Sequence, residues 1–338
     1  MAQPIRFGIA YDFRLPPGSD VPLPDLYAQT LEQIQYVDQL GYDHVWITEH
    51  HFVEDGYMPS YVAAAGAIAA LTKNVAIGSD VLLMPFQHPV RLAEDLAVLD
   101  NLSGGRLMLG VGLGYARHEF AAFGVNRRHR VSLTEEGIEI LRLAWSQDEF
   151  SFHGKRFHFD DVRVRPRPVQ PGGPPIWIAA MSEAGAHRAA RFDTHLLPQG
   201  DRNAVLDPWR QDLTATGRDP ADYRVGIIKP WLLTDDPESI WPQVREAERY
   251  RGAVYAEWID DAADDMTRQL ERGRDAGTGI PQTYVLGDAE ACVTQIRAFV
   301  EEFGVTDLIT WGAPPGIPPA LMTRSLERFA KEVLPRFR

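Results

Sequence analysis

A closed (β/α)8 TIM barrel is the fold class that this sequence predicts, and three observations carry the prediction. Eight short, β-favouring apolar runs alternate with helix-like segments along 338 residues, the rhythm of a parallel sheet wound by crossover helices. The run Val45-Trp46-Ile47 is apolar throughout, as in a strand covered on both faces. Polar, titratable residues gather where such runs stop. In the stretch from Gly41 to Phe52, Val45, Trp46 and Ile47 lead directly into Glu49, His50 and His51. The carboxyl end of a strand is where α/β sheets place their chemistry. Such a cluster is either a functional group or an ion pair that ties down a loop.

The elements follow in order. A first strand, Ile5 to Tyr11, passes through a Pro/Gly-rich loop (Arg14 to Pro24) into a helix over Asp25–Leu40, stopped by Gly41. After the second strand comes an alanine-rich helix, Tyr61–Leu71, whose small side chains permit close approach of another helix, within the wall or from a second subunit. A third strand spans Val75–Leu83 and leads through Met84-Pro85-Phe86-Gln87-His88-Pro89 into a helix reaching Leu102. The fourth, Arg106–Gly114, precedes an excursion (Tyr115–Arg130) and a helix over Ser132–Trp145, where Ser132 and Glu135 have capping-box spacing. Strands five to eight fall at Pro175–Ala180, Thr194–Leu197, Tyr223–Leu233 and Thr306–Trp311, and a helix over Pro319–Leu334 ends the chain.

The whole chain, 1–338, reads as a single unit with two insertions, about 148–174 and 248–280. The first is expected to be a hairpin, on the aromatic and valine residues from Phe152 to Val164. The second, with Trp258 and the glycines 273, 277 and 279, is expected to be a lid or surface decoration.

Bulk composition narrows the function. The net charge of -13 argues against a nucleic-acid partner, which needs a basic stripe, yet allows an anion held locally by backbone amides. The lone Cys292 excludes an internal disulfide or a cysteine-built zinc site and is expected to be a buried, inert thiol. No apolar signal region precedes the first strand and no run reaches membrane-spanning length, so the expectation is a cytoplasmic protein without a membrane partner.

Several motifs fail on inspection. Gly110, Gly112 and Gly114 have G-x-G-x-G spacing, but no helix opens directly behind them, so the dinucleotide fingerprint is absent. Their remaining meaning is close backbone approach, by a flat ligand or by neighbouring strands. His118-Glu119 begins like a zinc-protease helix, but position 122 is Ala. Glu49, His50, His51, Asp80 and His88 are the one conceivable metal set, and adjacent strand residues point to opposite sides, so no metal is expected.

Four segments now stand in one order: Glu49-His50-His51-Phe52, Pro85-Phe86-Gln87-His88-Pro89-Val90-Arg91, Leu102-Ser103-Gly104-Gly105-Arg106, and Pro174-Pro175-Ile176-Trp177-Ile178-Ala179-Ala180-Met181-Ser182. With them the chain resembles the bacterial luciferase-like flavin-dependent monooxygenases, from Phe7 to about Gly200 and again over Val285–Pro335. That family is also a (β/α)8 barrel. The resemblance implies reduced FMN at the carboxyl mouth, supplied by a separate flavin reductase, with oxygen used to oxygenate a small organic substrate. It also implies a homodimer. The alternatives are hydride transfer by the deazaflavin F420, since both cofactors occupy similar barrels, and a flavin-binding protein without turnover.

Carried over by residue, the resemblance makes His50 the acid/base or substrate-orienting group, with Glu49 or His51 tuning it. Ser79 and Asp80 would lie beneath the flavin ring, where the family often has an unusual cis peptide. The Asp80 carboxylate would either meet a ring nitrogen or pair with a barrel cation. Gly112 and Tyr115 would border the ring. The phosphate would meet the turn from strand five into its helix, Ala180, Met181 and Ser182, where free N–H groups favour an anion. Water must be kept from the ring, and Tyr11, Trp46, Phe52, Met84, Phe86, Trp177, Met181 and Trp311 lie near strand ends. The luciferases proper carry a cysteine and an arginine where this chain has Gly112 and Leu113, which speaks against light emission or an aldehyde substrate. Arg117, His118 and Arg130 are the replacements at hand for that charge.

Overall fold

The computed structural model describes residues 3–258, 284–317 and 319–338. Eight parallel strands form the barrel: β1 (Arg6–Tyr11), β2 (His44–Ile47), β3 (Ala76–Ser79), β4 (Leu107–Gly112), β5 (Ile176–Ala180), β6 (His195–Pro198), β7 (Gly226–Ile228) and β8 (Asp307–Trp311). Each pairs with the next, β8 returns to β1 through Arg6↔Asp307, and a bridge between Leu196 and Val225 closes the ring. All strand carboxyl ends therefore face one mouth.

The interior is filled by side chains. Trp46 and Trp177 meet edge to face, ring centres 5.5 Å apart, among Met108, Leu197 and Ile309. A methyl group at Gly78 would overlap the Trp46 ring, so that glycine makes room for the indole. The Trp46 indole N–H donates to His44 Nδ1 at 2.7 Å, which turns His44 Nε2 toward Asp307, 3.1 Å away. Asp307 is fully buried and also takes Arg6 (2.7 Å to Nε), Arg224 (3.2 Å) and the Thr306 hydroxyl (2.6 Å). This ion cluster and the tryptophans seal the amino end of the barrel.

Several boundaries differ from the sequence reading, for local reasons. The third strand stops at Ser79, where a cis peptide joins Asp80 to Val81, and resumes only as Leu82–Leu83 against β4. The seventh run splits at Pro230, which has no N–H to donate. Trp231–Leu233 instead pairs with Val285–Gly287 outside the barrel. The capping box is not formed: the helix begins at Arg130, the Ser132 hydroxyl donates to the His129 carbonyl, and Glu135 binds Arg188 and Arg191. The excursion after Tyr115 holds a short helix, Arg117–Ala122. The expected hairpin is present as Phe150–His153 against His158–Val162. Residues 248–258 of the expected lid continue a helix, Pro237–Trp258, and the rest lies outside the described residues. Cys292 is buried, which pushes its thiol up to about 12. Among the described residues no helix is long and apolar enough to cross a membrane.

Candidate active site at the barrel mouth

Where β2 leaves the barrel, its chain is held by backbone bonds to neighbouring loops. Thr48 N donates to the Tyr11 carbonyl at 3.1 Å and His50 N to that of Met58 at 3.2 Å. The side chains that follow divide into two sets. Glu49 Oε1 accepts from Leu83 N at 3.1 Å and lies 3.4 Å from His51 Nε2. It ties β2 to the continuation of β3, and it is not the carboxylate at His50. That carboxylate is Glu119, on the short helix after β4, with no exposed surface. One oxygen, Glu119 Oε1, accepts the His51 backbone N–H at 2.8 Å and stands 3.0 Å from His50 Nδ1.

This arrangement assigns the tautomer. A carboxylate oxygen can only accept, so His50 Nδ1 carries the hydrogen and Nε2 presents its lone pair. The Tyr115 hydroxyl, 3.1 Å from Nε2, is then the donor. Burial, with Tyr255 and Glu119 nearby, holds the Tyr115 phenol well above its usual range, so it stays protonated. The result is a continuous path, carboxylate to imidazole to phenol, able to hold or pass one proton at Nε2. Aromatic rings wall it: Trp258, Tyr57 and Tyr255 lie 4.5, 5.0 and 5.8 Å from the His50 ring, centre to centre.

The other predicted positions fall around the same mouth with mixed roles. The Ser79 hydroxyl donates to the Gly110 carbonyl at 2.8 Å and accepts Gly110 N at 3.0 Å, so it latches β3 to β4 and only its backbone remains for a ligand. A side chain at Gly110 would strike the Ser79 carbonyl, and one at Gly112 the Val81 side chain. The close approach expected there is thus between neighbouring strands. Among the described residues no cation pairs with Asp80, and its buried Oδ2 has no hydrogen-bond partner. His88 stands beside Phe159 of the hairpin, 5.6 Å between ring centres, away from the other members of the conceivable metal set. Trp46 and Trp177 belong to the sealed interior, whereas Phe52 and Met181 are largely exposed.

At the end of β5, Ala180 is buried while Met181 and Ser182 are exposed. Ser182 precedes the helix Glu183–Arg191 in extended geometry, and its hydroxyl makes no capping bond. The first N–H groups of a helix have no partner within it. At the start of the helix Arg130–Ser146, Arg130 is held below its usual value, first by burial and then by the like charges of Arg127 and of Arg188 on the helix Glu183–Arg191. Among the described residues Arg127 Nε, a buried atom, has no hydrogen-bond partner. A crowd of guanidiniums is an arrangement that an anion relieves. Arg117 is exposed, and His118 Nε2 meets the His51 carbonyl at 3.1 Å. Arg127 and Glu119 were not singled out as functional by the sequence. The available signal was their position, within 15 residues after the carboxyl end of β4.

Asp80 gives a pH-dependent expectation. Burial alone pushes its carboxyl up to about 7 from the ordinary 3.8. The folded protein therefore binds this proton more tightly than the unfolded chain, and stability falls as pH rises from about 4 to about 7. Asp80→Asn removes that cost. Its melting temperature is expected to exceed wild type by about 2–6 °C at pH 8 and to match it at pH 4. Equal melting temperatures at pH 8 would contradict a buried, unpaired carboxylate.

Comparison with known proteins places these residues in context. Residues 5–307 match the family model of luciferase-like monooxygenases. The chain is 30% identical over 319 residues to the alkanal monooxygenase alpha chain of Photorhabdus laumondii, covering 88% of this chain and 89% of that one. It is 27% identical to the F420-dependent glucose-6-phosphate dehydrogenase of Amycolatopsis mediterranei, over 89% and 92%. Among solved structures it superposes on monooxygenase RslO1 of Streptomyces bottropensis with a TM-score of 0.87, at 25% identity over 99% of this chain and 100% of that one. It is similar in fold to the oxygenating constituent of 3,6-diketocamphane monooxygenase of Pseudomonas putida, solved with FMN. There the TM-score is 0.82, at 19% identity and 99% coverage of each.

Proposed function

The chain belongs to the luciferase-like monooxygenase family, and from that premise we propose that it is the cytoplasmic oxygenating half of a two-component system, using reduced FMN from a separate reductase to oxygenate a small organic substrate. The observation that carries this reading is the buried Glu119–His50–Tyr115 chain at the mouth of the barrel. The residues present fit a flavin mononucleotide. Its phosphate suits the open N–H groups beyond Ser182 and the crowded Arg127 and Arg130. Its ring would border the backbone of Ser79, Gly112 and Tyr115, with the unpartnered Asp80 oxygen available to a ring N–H.

When bound, reduced FMN supplies the electrons that activate oxygen. This chain's residues do the rest. Tyr57, Tyr255 and Trp258 keep water from His50. Glu119 orients the imidazole and fixes its tautomer, and His50 Nε2 takes or returns the substrate proton, directly or through Tyr115. Glu49 acts at one remove, by holding His51 and Leu83. Homodimerisation, through the alanine-rich helix Tyr61–Leu71, belongs to the same proposal.

The F420 reading draws on the dehydrogenase relative. An anaerobic titration separates the two. Saturable binding of reduced FMN, weakened when Arg130 is replaced by methionine, is the expected result. Saturable binding of reduced F420 with none of FMN would overturn it. Oxygen consumption with an added flavin reductase tells an oxygenase from a flavin carrier.

A further inference from the structure

Beside His50 lies a second polar group with its own unmet demand. Asp12, Arg14 and Arg251 are 1%, 2% and 4% exposed. Arg14 Nε donates to Asp55 at 2.6 Å and Arg251 Nη1 to Glu248 at 2.5 Å. Among the described residues, Nη1 and Nη2 of Arg14, Nε and Nη2 of Arg251 and both carboxylate oxygens of Asp12 have no partner at ordinary hydrogen-bond geometry, with the Arg14 amide facing Asp12 and Tyr250 facing Arg14 only loosely. Buried polar atoms without partners are costly and rare, and six on three adjoining side chains define a site. Aromatic rings pack against both guanidiniums. Arg251 lies over the Trp311 ring at 3.9 Å and Arg14 over Tyr57 at 4.7 Å, the same Tyr57 that meets His50.

The inventory selects the chemistry of the ligand. Asp12 can only accept and the two guanidiniums can only donate. A carbonyl or carboxylate would satisfy the arginines and leave Asp12 unpaired, and a carboxylate would add a like charge against it. A hydroxyl satisfies both. Arg251 Nη2 and Asp12 Oδ2 are 3.9 Å apart, too far for a direct hydrogen bond, yet the span of two bonds of about 2.8 Å meeting at one oxygen. Those aromatic rings favour a flat ring behind that oxygen.

We propose that Asp12, Arg14 and Arg251 recognise a phenolic or enolic hydroxyl on an aromatic substrate and so place the ring against His50. This assignment of substrate class rests on the oxygenase reading above. Its test does not use flavin, so the two can fail separately.

The probes are 1-naphthol, 1-methoxynaphthalene and 1-naphthoate, titrated calorimetrically against the full chain. Naphthol is expected to bind about 10–100-fold more tightly than its methyl ether, which cannot donate to Asp12, and more tightly than naphthoate. Arg251→Met and Asp12→Leu should each abolish that preference; circular dichroism of each variant confirms folding, and either variant suffices. Equal or undetectable binding of naphthol and its ether to wild type would mean that water alone bridges the pair, and would overturn the proposal. Tighter binding of naphthoate, or a preference that survives in a folded variant, would overturn it too.

Discussion

Glu119→Ala is expected to lower substrate oxygenation by about 10²–10⁴-fold, the range over which a positioned acid/base group contributes. The carboxylate is fully buried and its Oε1 holds both His50 Nδ1 and the His51 amide. Without it, His50 loses the partner that fixes its tautomer, and either nitrogen can face Tyr115. Glu119→Gln keeps a hydrogen-bonding oxygen and should fall between wild type and Ala. Glu49→Gln, which disturbs His51 and Leu83 but not His50, should cost far less. Steady-state turnover with a supplied reductase, at matched flavin saturation, measures all three. Equal losses at Glu49 and Glu119 would show that the whole loop, not the His50 partner, is at stake.

The second large effect concerns stability. Asp307→Ala leaves Arg6, Arg224 and His44 without their shared carboxylate at the sealed end of the barrel. Removing one member of a buried ionic cluster costs about 3–5 kcal/mol, a drop in melting temperature of about 6–15 °C for a chain of this size. The pH dependence has a definite sign. His44, Arg6 and Thr306 hold the Asp307 carboxyl well below the ordinary 3.8 despite burial, so its contribution is present above that value and is lost as pH falls below it. His195 adds to the trend. Burial pushes it down to about 4 from 6.5, so the unfolded chain takes that proton first and stability declines as pH falls from about 6.5 to about 4. A melting temperature for Asp307→Ala within 2 °C of wild type at pH 7 would contradict this account.

The barrel itself was legible because fully buried parallel strands write an unbroken apolar run, as Val45-Trp46-Ile47 does, and the runs alternate with helices. The mouth was legible because Glu49, His50 and His51 arrive where such a run stops. Local pattern could not say which carboxylate meets His50. Glu119 is 69 residues away, and a contact set by folding leaves no trace in spacing. Proximity in sequence favoured Glu49, whose side chain is instead drawn to His51 and the amide of Leu83. Asp12, Arg14 and Arg251 escaped notice for the same reason: their meaning lies in atoms left over after packing, which only coordinates reveal. Ser79 shows the converse. Its place at the strand end was legible, but not that β4 engages its hydroxyl on both sides.

The central claim is that one mouth of the barrel gathers His50, the backbone around Gly112 and the open helix terminus after Ser182 about a single reduced flavin. A crystal structure of the anaerobic complex with reduced FMN tests it most directly. The account predicts the ring beside His50 and the phosphate at the N–H groups following Ser182, within reach of Arg127 or Arg130. A flavin bound elsewhere, or a phosphate at the far end of the barrel from those amides, would contradict it.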